Sequence, residues 1–220
     1  MTTAKKKIVF CDFDGTITVN DNIVAIIKHF KPDGWELLVE KVISTEISIQ
    51  EGVGALFRLL PASMEKEVVE FGIQNAIIRD GFKDFVQFCK DSNIDFYVTS
   101  GGIDFFVYPL LKSFGIPEDH IYCNKSDFTG EQIEILWPHT CDEHCHNHCG
   151  MCKPTIMRKF STEQYERIII GDSVTDFEGA KIADTVYSRS HLTEKCNELS
   201  IAHTEFQTFF DIIEAMKQKG

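Results

Sequence analysis

The sequence has no apolar run long enough to cross a bilayer as a helix, no low-complexity tract and no internal repeat. Helical membrane proteins, disordered scaffolds and solenoids are thereby set aside. Positive charge is also short: 22 Lys and Arg stand against 34 Asp and Glu, a formal charge of −12. Nucleic acid and anionic membranes want a basic face, so neither is an expected partner. The same shortage means that an anionic substrate must be met by locally built positive charge, from metal, lysine and backbone N–H groups. Lys5, Lys6 and Lys7 make the start basic, but the apolar run behind them, residues 8–11, is too short for a signal peptide. Eight cysteines without an export signal are expected to be reduced thiols in a cytoplasmic protein.

What is present is globular. At 43% hydrophobic residues, with 18 Phe among them, 220 residues can fill one good core and a small accessory domain. Lys7-Ile8-Val9-Phe10-Cys11 reads as a short strand buried on both faces. It stops at Asp12, and Asp14 follows one residue later; period two would put both acids on one side, with Phe13 opposite. Gly15 lets the chain leave the sheet at once. Open α/β sheets bind ligands at such a strand end. Two carboxylates this close repel, and need a cation, a shared proton or both. Mg²⁺ suits them best, since it binds few carboxylates together with substrate phosphate. One acid can attack phosphorus while the other protonates the leaving oxygen and later deprotonates water. A solvated acidic strand end without chemistry is the competing reading of these residues alone.

Helical spacing then runs through Ile23, Ile26, Ile27 and Phe30, through residues 35–43, from the capping box Ser48-Ile49-Gln50-Glu51 onward, and through Val68, Val69 and Ile73. Residues 20–78 are therefore expected to form a helical cap, either a water-excluding lid or a helical unit without a gating role. Residues 1–19 and 79–220 would form an α/β core domain. Within it, a strand over residues 93–99 leads into Ser100-Gly101-Gly102, where a hydroxyl and two unhindered N–H groups can cradle a phosphate. Residues 121–124 read as another short strand, and a hairpin with its turn at Thr129-Gly130 follows. Cys141, Cys145, Cys149 and Cys152 then come interleaved with His139, His144, His146 and His148. A Zn²⁺ site on the four cysteines and a reduced, exposed thiol-rich loop are both open readings, because only the last pair has the usual knuckle spacing. Lys153-Pro154 opens a helix directly after the loop. Residues 167–170 make another buried strand, which ends at Gly171-Asp172 and is followed by Asp176. Helices over 177–183 and 206–216 and a strand over 185–187 complete the layer.

The ordered set Asp12-Phe13-Asp14-Gly15-Thr16, Ser100-Gly101-Gly102, Lys153 and Gly171-Asp172-Ser173-Val174-Thr175-Asp176 resembles the four motifs of the haloacid dehalogenase-like superfamily of aspartate-nucleophile phosphatases. That resemblance implies a Rossmann-like parallel sheet flanked by helices, with a small inserted helical cap. It implies Asp12 as nucleophile and Asp14 as acid and base. Mg²⁺ would be held by Asp12, the Asp14 main-chain carbonyl and Asp172. Ser100, the Gly101 N–H and Lys153 would hold the phosphoryl oxygens, and Asp176 the metal's waters or Lys153. An acid at position 14 indicates fast turnover of the phosphoenzyme, and a small phosphorylated metabolite as partner. The cap is similar to that of the phosphoserine phosphatase group, but no arginine stands where that group grips a carboxylate, and Arg58 lies about a turn away. Residues 11–18, 100–111, 137–139 and 171–176 resemble the methionine-salvage phosphatases of the same superfamily. A metal-binding interaction module on an inactive scaffold is a third reading, against which the intact Asp12, Asp14, Lys153 and Asp172 weigh.

Overall fold

Residues 8–11 are each 0% exposed, because the strand that carries them, β1 (Lys6–Cys11), runs through the middle of a sheet. A computed structural model of the chain describes residues 5–218; the ends of the expected core domain, 1–4 and 219–220, lie outside it. From β1 the chain passes through four helices, α1 (Asn22–Phe30), α2 (Trp35–Ile43), α3 (Ile49–Arg58) and α4 (Glu65–Gln74). It then builds α5 (Phe82–Asp91), β2 (Asp95–Ile103), α6 (Asp104–Leu111), β3 (Ile121–Asp127) and β4 (Glu134–Leu136). After a long loop come α7 (Lys153–Arg158), β5 (Tyr165–Gly171), α8 (Phe177–Ala180) and β6 (Thr185–Ser188). The last elements are α9 (Ser190–Glu198), β7 (Thr204–Glu205) and α10 (Phe209–Gln218).

The sheet order is β4-β3-β2-β1-β5-β6-β7, parallel except for the β3–β4 hairpin at one edge. β1 alternates cleanly. Val9 and Cys11 enter a core shared with Phe82, Phe85, Phe106 and Phe209, while Ile8 and Phe10 enter a second with Met157, Ala180 and Leu192. Helices therefore cover both faces, which is why the strands read as continuous apolar runs. Among the described residues no helix is long and apolar enough to cross a membrane.

The helical insert is tied down at two places. The chain leaves and re-enters through a Thr18–Ile78 bridge, with the Val19 N–H donating to the Ile77 carbonyl at 2.8 Å. Farther out, Ala62 N–H donates to Glu131 O (2.9 Å) and Ile133 N–H to Leu60 O (3.0 Å), clipping the end of α3 to the hairpin. Local caps follow the sequence. Asp21 accepts from Val24 N at the start of α1, and Ser48 and Glu51 form the expected capping box on α3.

Three expectations change. β2 does not end at Thr99: it continues through Ser100-Gly101-Gly102 to Ile103, with its register to β3 broken between Thr99 and Ile103. α8 is four residues long rather than seven. α9 and β7 have no counterpart in the sequence pattern, since α9 buries only Leu192 and Cys196 in an otherwise polar segment and β7 has two residues.

Candidate active site

β1 stops at Cys11, and the Asp12 N–H reaches across to the Ile170 carbonyl of β5 at 2.9 Å. A single turn over Phe13–Ile17 follows. In it Gly15 takes φ +78°, and a Cβ there would stand 2.3 Å from Asp172 Oδ2, so glycine is required twice over. Asp14 lies beyond the strand. It shares the cleft with Asp12 because of this turn, not through strand alternation.

Asp12 is 4% exposed and Lys153 1%. The Lys153 Nζ lies 2.8 Å from Asp12 Oδ1 and also bonds Asp176. Lys153 is the first residue of α7, with Pro154 behind it. The second Asp176 oxygen accepts from the N–H groups of Asp172 and Ser173, both at 3.1 Å. Asp176 thus fixes Lys153 and the loop after β5, while Asp172 accepts the Thr16 hydroxyl at 3.0 Å. Burial opposes the Lys153 charge, but Asp12 and Asp176 outweigh it and hold the ammonium above the usual lysine range. Burial pushes Asp12 well above the carboxylate range, Asp176 adding to the rise and Lys153 opposing it. Asp172 is pushed up to about 6, by burial and then by Asp176.

Asp14 is held differently. Its Oδ1 accepts from the Asn22 N–H at 2.9 Å and from Asn22 Nδ2 at 2.6 Å. Its Oδ2 is buried without a partner. Burial, with the charge of Asp21 next, pushes this carboxyl up to about 7 against the bonds from Asn22. On the facing strand Ser100 Oγ accepts the Gly102 N–H at 2.8 Å, which leaves its own O–H to donate. Asn124 Nδ2 donates to the Gly101 carbonyl at 2.7 Å, and Gly101 lines the cleft. The cleft holds about 460 Å³. Asp12, Asp14, Gly15, Gly101 and Asp172 form its floor, and Val39, Val42, Ile43, Ile49, Val53 and Leu56 of the helical insert its roof.

The model of the haloacid dehalogenase-like hydrolases matches residues 9–181. The chain belongs to the haloacid dehalogenase-like hydrolase family. This hydrolase is 53% identical over 215 residues to the 2-hydroxy-3-keto-5-methylthiopentenyl-1-phosphate phosphatase of Brevibacillus brevis, covering 98% of this chain and 97% of the relative. A protein of the same name from Bacillus cereus (strain B4264) is 52% identical over 209 residues, 95% of each chain. Among solved structures, the phosphoserine phosphatase of T. onnurineus in complex with NDSB-201 superposes with a TM-score of 0.71 at 15% identity, covering 97% of this chain and 95% of that one. At that identity the likeness concerns fold alone.

The hydrolase's acids fit a hard divalent cation. Ligand oxygens of Asp12, Asp172 and Asp176 all lie within 4.8 Å of one another. Three carboxylates face one ammonium; burial raises Asp12 and Asp172, and the charge of Asp176 adds to the rise in both. An all-oxygen donor set of this kind suits Mg²⁺.

Three residues of the site escaped the sequence reading. Thr16 and Asn22 orient Asp172 and Asp14. Arg79, 7% exposed, donates from Nε to Thr16 O and from Nη2 to Gly15 O, both at 2.7 Å, and so braces the turn that carries Asp14. Asn22 had a signal in its position, eight residues after Asp14 at the first turn of a helix. Arg79 had none beyond being a lone arginine at the return from the insert.

Proposed function

We propose that the chain is a Mg²⁺-dependent phosphomonoesterase that works through an aspartyl-phosphate on Asp12. Its proposed substrate is 2-hydroxy-3-keto-5-methylthiopentenyl-1-phosphate, and its proposed product the 1,2-dihydroxy-3-keto-5-methylthiopentene of methionine salvage. One observation carries the chemistry: a buried nucleophile-type carboxylate, Asp12, held against the Lys153 ammonium at 2.8 Å on the floor of a cleft. Relatives near 50% identity over almost the whole chain carry that substrate in their names.

In the first step an Asp12 oxygen attacks phosphorus and the bond from phosphorus to the leaving oxygen breaks. Asp14 gives that oxygen a proton, a role suited to a carboxyl raised to about 7 with one oxygen unpaired. In the second step Asp14 takes a proton from water, whose oxygen attacks phosphorus and returns Asp12 as carboxylate. Lys153, the Ser100 hydroxyl and the Gly101 N–H would hold the phosphoryl oxygens throughout. Asp12, the Asp14 carbonyl and Asp172 would hold Mg²⁺, with Asp176 steadying Lys153 behind them. When bound, the metal would supply charge for the transferring group and favour the ionised form of Asp12 and Asp172.

Residues 20–78 act in this reading as a cap. The aliphatic roof from α2 and α3 takes the apolar methylthio end of the substrate. Phosphoserine is the second candidate, suggested by the fold. Arg58 speaks against it, because it pairs with Glu134 at 3.3 Å and does not line the cleft. The test is phosphate release from a panel of esters with and without Mg²⁺. The enol-phosphate should exceed phosphoserine by orders of magnitude in kcat/KM, with both rates lost on chelation; the opposite ranking refutes the substrate.

A further inference from the structure

We infer that Cys141, Cys145, Cys149 and Cys152 form a structural zinc site, separate from the oxygen-lined active site. Their four sulfur atoms all lie within 4.8 Å of one another, and Cys145 Sγ is 4.0 Å from Cys149 Sγ. All four are free thiols. A disulfide would draw two sulfurs to about 2 Å. Four thiolates around one zinc, with bonds of about 2.3 Å in a tetrahedron, stand about 3.8 Å apart. The observed spacing fits such a cage and not a disulfide.

The surroundings agree. The loop between β4 and α7 has no helix or strand of its own. Its polypeptide is held by Cys152 N–H to His139 O at 2.8 Å, Cys145 N–H to Asp142 O at 3.2 Å, His144 N–H to Asp142 Oδ1 at 3.1 Å, and by two ties from Asp142 to α7, its N–H to Thr155 Oγ1 at 3.1 Å and its carboxylate to Arg158. Thiols bond one another weakly, so their convergence in a polar loop is not explained by their own hydrogen bonding. Cys152 is fully buried and Cys145 nearly so, while Cys141 and Cys149 sit at the rim. The cluster is purely sulfur, although four histidines share the segment. A soft S₄ set selects zinc, where the acids at Asp12 and Asp172 select Mg²⁺. Cys152 directly precedes Lys153, so a metal here would anchor the start of α7 where the phosphate-facing lysine emerges.

Metal content decides the matter without reference to turnover. Full-length protein expressed with zinc and purified under reductant with excess Mg²⁺ should carry about one zinc per chain. A thiol-specific mercurial should release it. Wild-type protein stripped of metal and given Co²⁺ should show thiolate-to-cobalt charge-transfer bands and the intense visible absorption of a tetrahedral site. The rim variant Cys141→Ser/Cys149→Ser should lose both zinc and these bands. Zinc-free protein that yields no thiolate–cobalt spectrum would overturn the site, as would a rim variant that keeps its metal. Because the cobalt titration is made on the wild type, a variant that fails to fold leaves the answer unaffected. Phosphatase failure with zinc present would reject the functional reading and leave this site standing.

Discussion

Asp14 has one oxygen clamped by Asn22 and the other bare, an asymmetry that suits it to the proposed role of acid. If it protonates the leaving group, only its protonated form is competent in the first step. With an alkyl phosphate kcat/KM should therefore fall as pH rises through the Asp14 pKa, about 7 without metal and lower once a cation favours the carboxylate. With p-nitrophenyl phosphate, whose leaving oxygen needs no proton, that limb should flatten. Equal profiles for the two esters would remove Asp14 from the role. Asp14→Asn should cost about 10²–10⁴-fold with the alkyl ester. At this scale the sequence was legible where a residue sat inside a motif, as Asp12, Asp14, Ser100, Lys153, Asp172 and Asp176 do. It was faint for Asn22, whose one signal is its place at the first turn of α1, and silent for Arg79, which acts from another segment through distances no spacing encodes.

The aliphatic lining of the cleft comes from α2 and α3, with Ile23 and Val24 of α1 beside them. A polar atom placed on that roof should discriminate against an apolar tail. Val53→Asn is expected to raise KM for the methylthio substrate about tenfold or more, with a much smaller change for an ester lacking the tail. Equal changes for both esters would mean that the roof does not read the tail. Strong punctuation made some elements legible. β1 is apolar from Ile8 to Cys11 and stops before Asp12, and Ser48 with Glu51 announces α3. Ser100-Gly101-Gly102 misled because two glycines look like a turn, while pairing with β3 resumes at Ile103 and keeps the segment in the sheet. The turn over Phe13–Ile17 needs the φ of Gly15, and Asp172 adds a tertiary demand by leaving no room for a Cβ there.

The whole molecule is acidic, at −12, and concentrates three of its carboxylates around one buried lysine. Asp12, Asp14 and Asp172 all have folded-state values above the usual carboxylate range near 4, the latter two at about 7 and about 6. Between those limits the folded protein binds more protons than the unfolded chain. As far as these groups decide it, metal-free stability should thus be greatest below about pH 4 and be lost progressively as pH rises from there through about 7. A divalent cation competes with those protons, so the rise in Tm caused by Mg²⁺ should be larger at pH 8 than at pH 5. A rise independent of pH would place the metal elsewhere. The family and its parallel sheet were legible because four motifs occur in one order. The clip of α3 to the β3–β4 hairpin was not, since it rests on main-chain bonds between residues some seventy positions apart.

A phosphoryl group carried covalently on Asp12 can be caught directly. Enzyme turning over substrate with Mg²⁺ is quenched in acid, digested, and its peptides searched for acyl-phosphate. Phosphate should be found on the Asp12 peptide, and it should be absent from Asp12→Asn, whose turnover falls by about 10³-fold or more. Turnover at the native rate in Asp12→Asn, or phosphate on any other side chain, would contradict that covalent step.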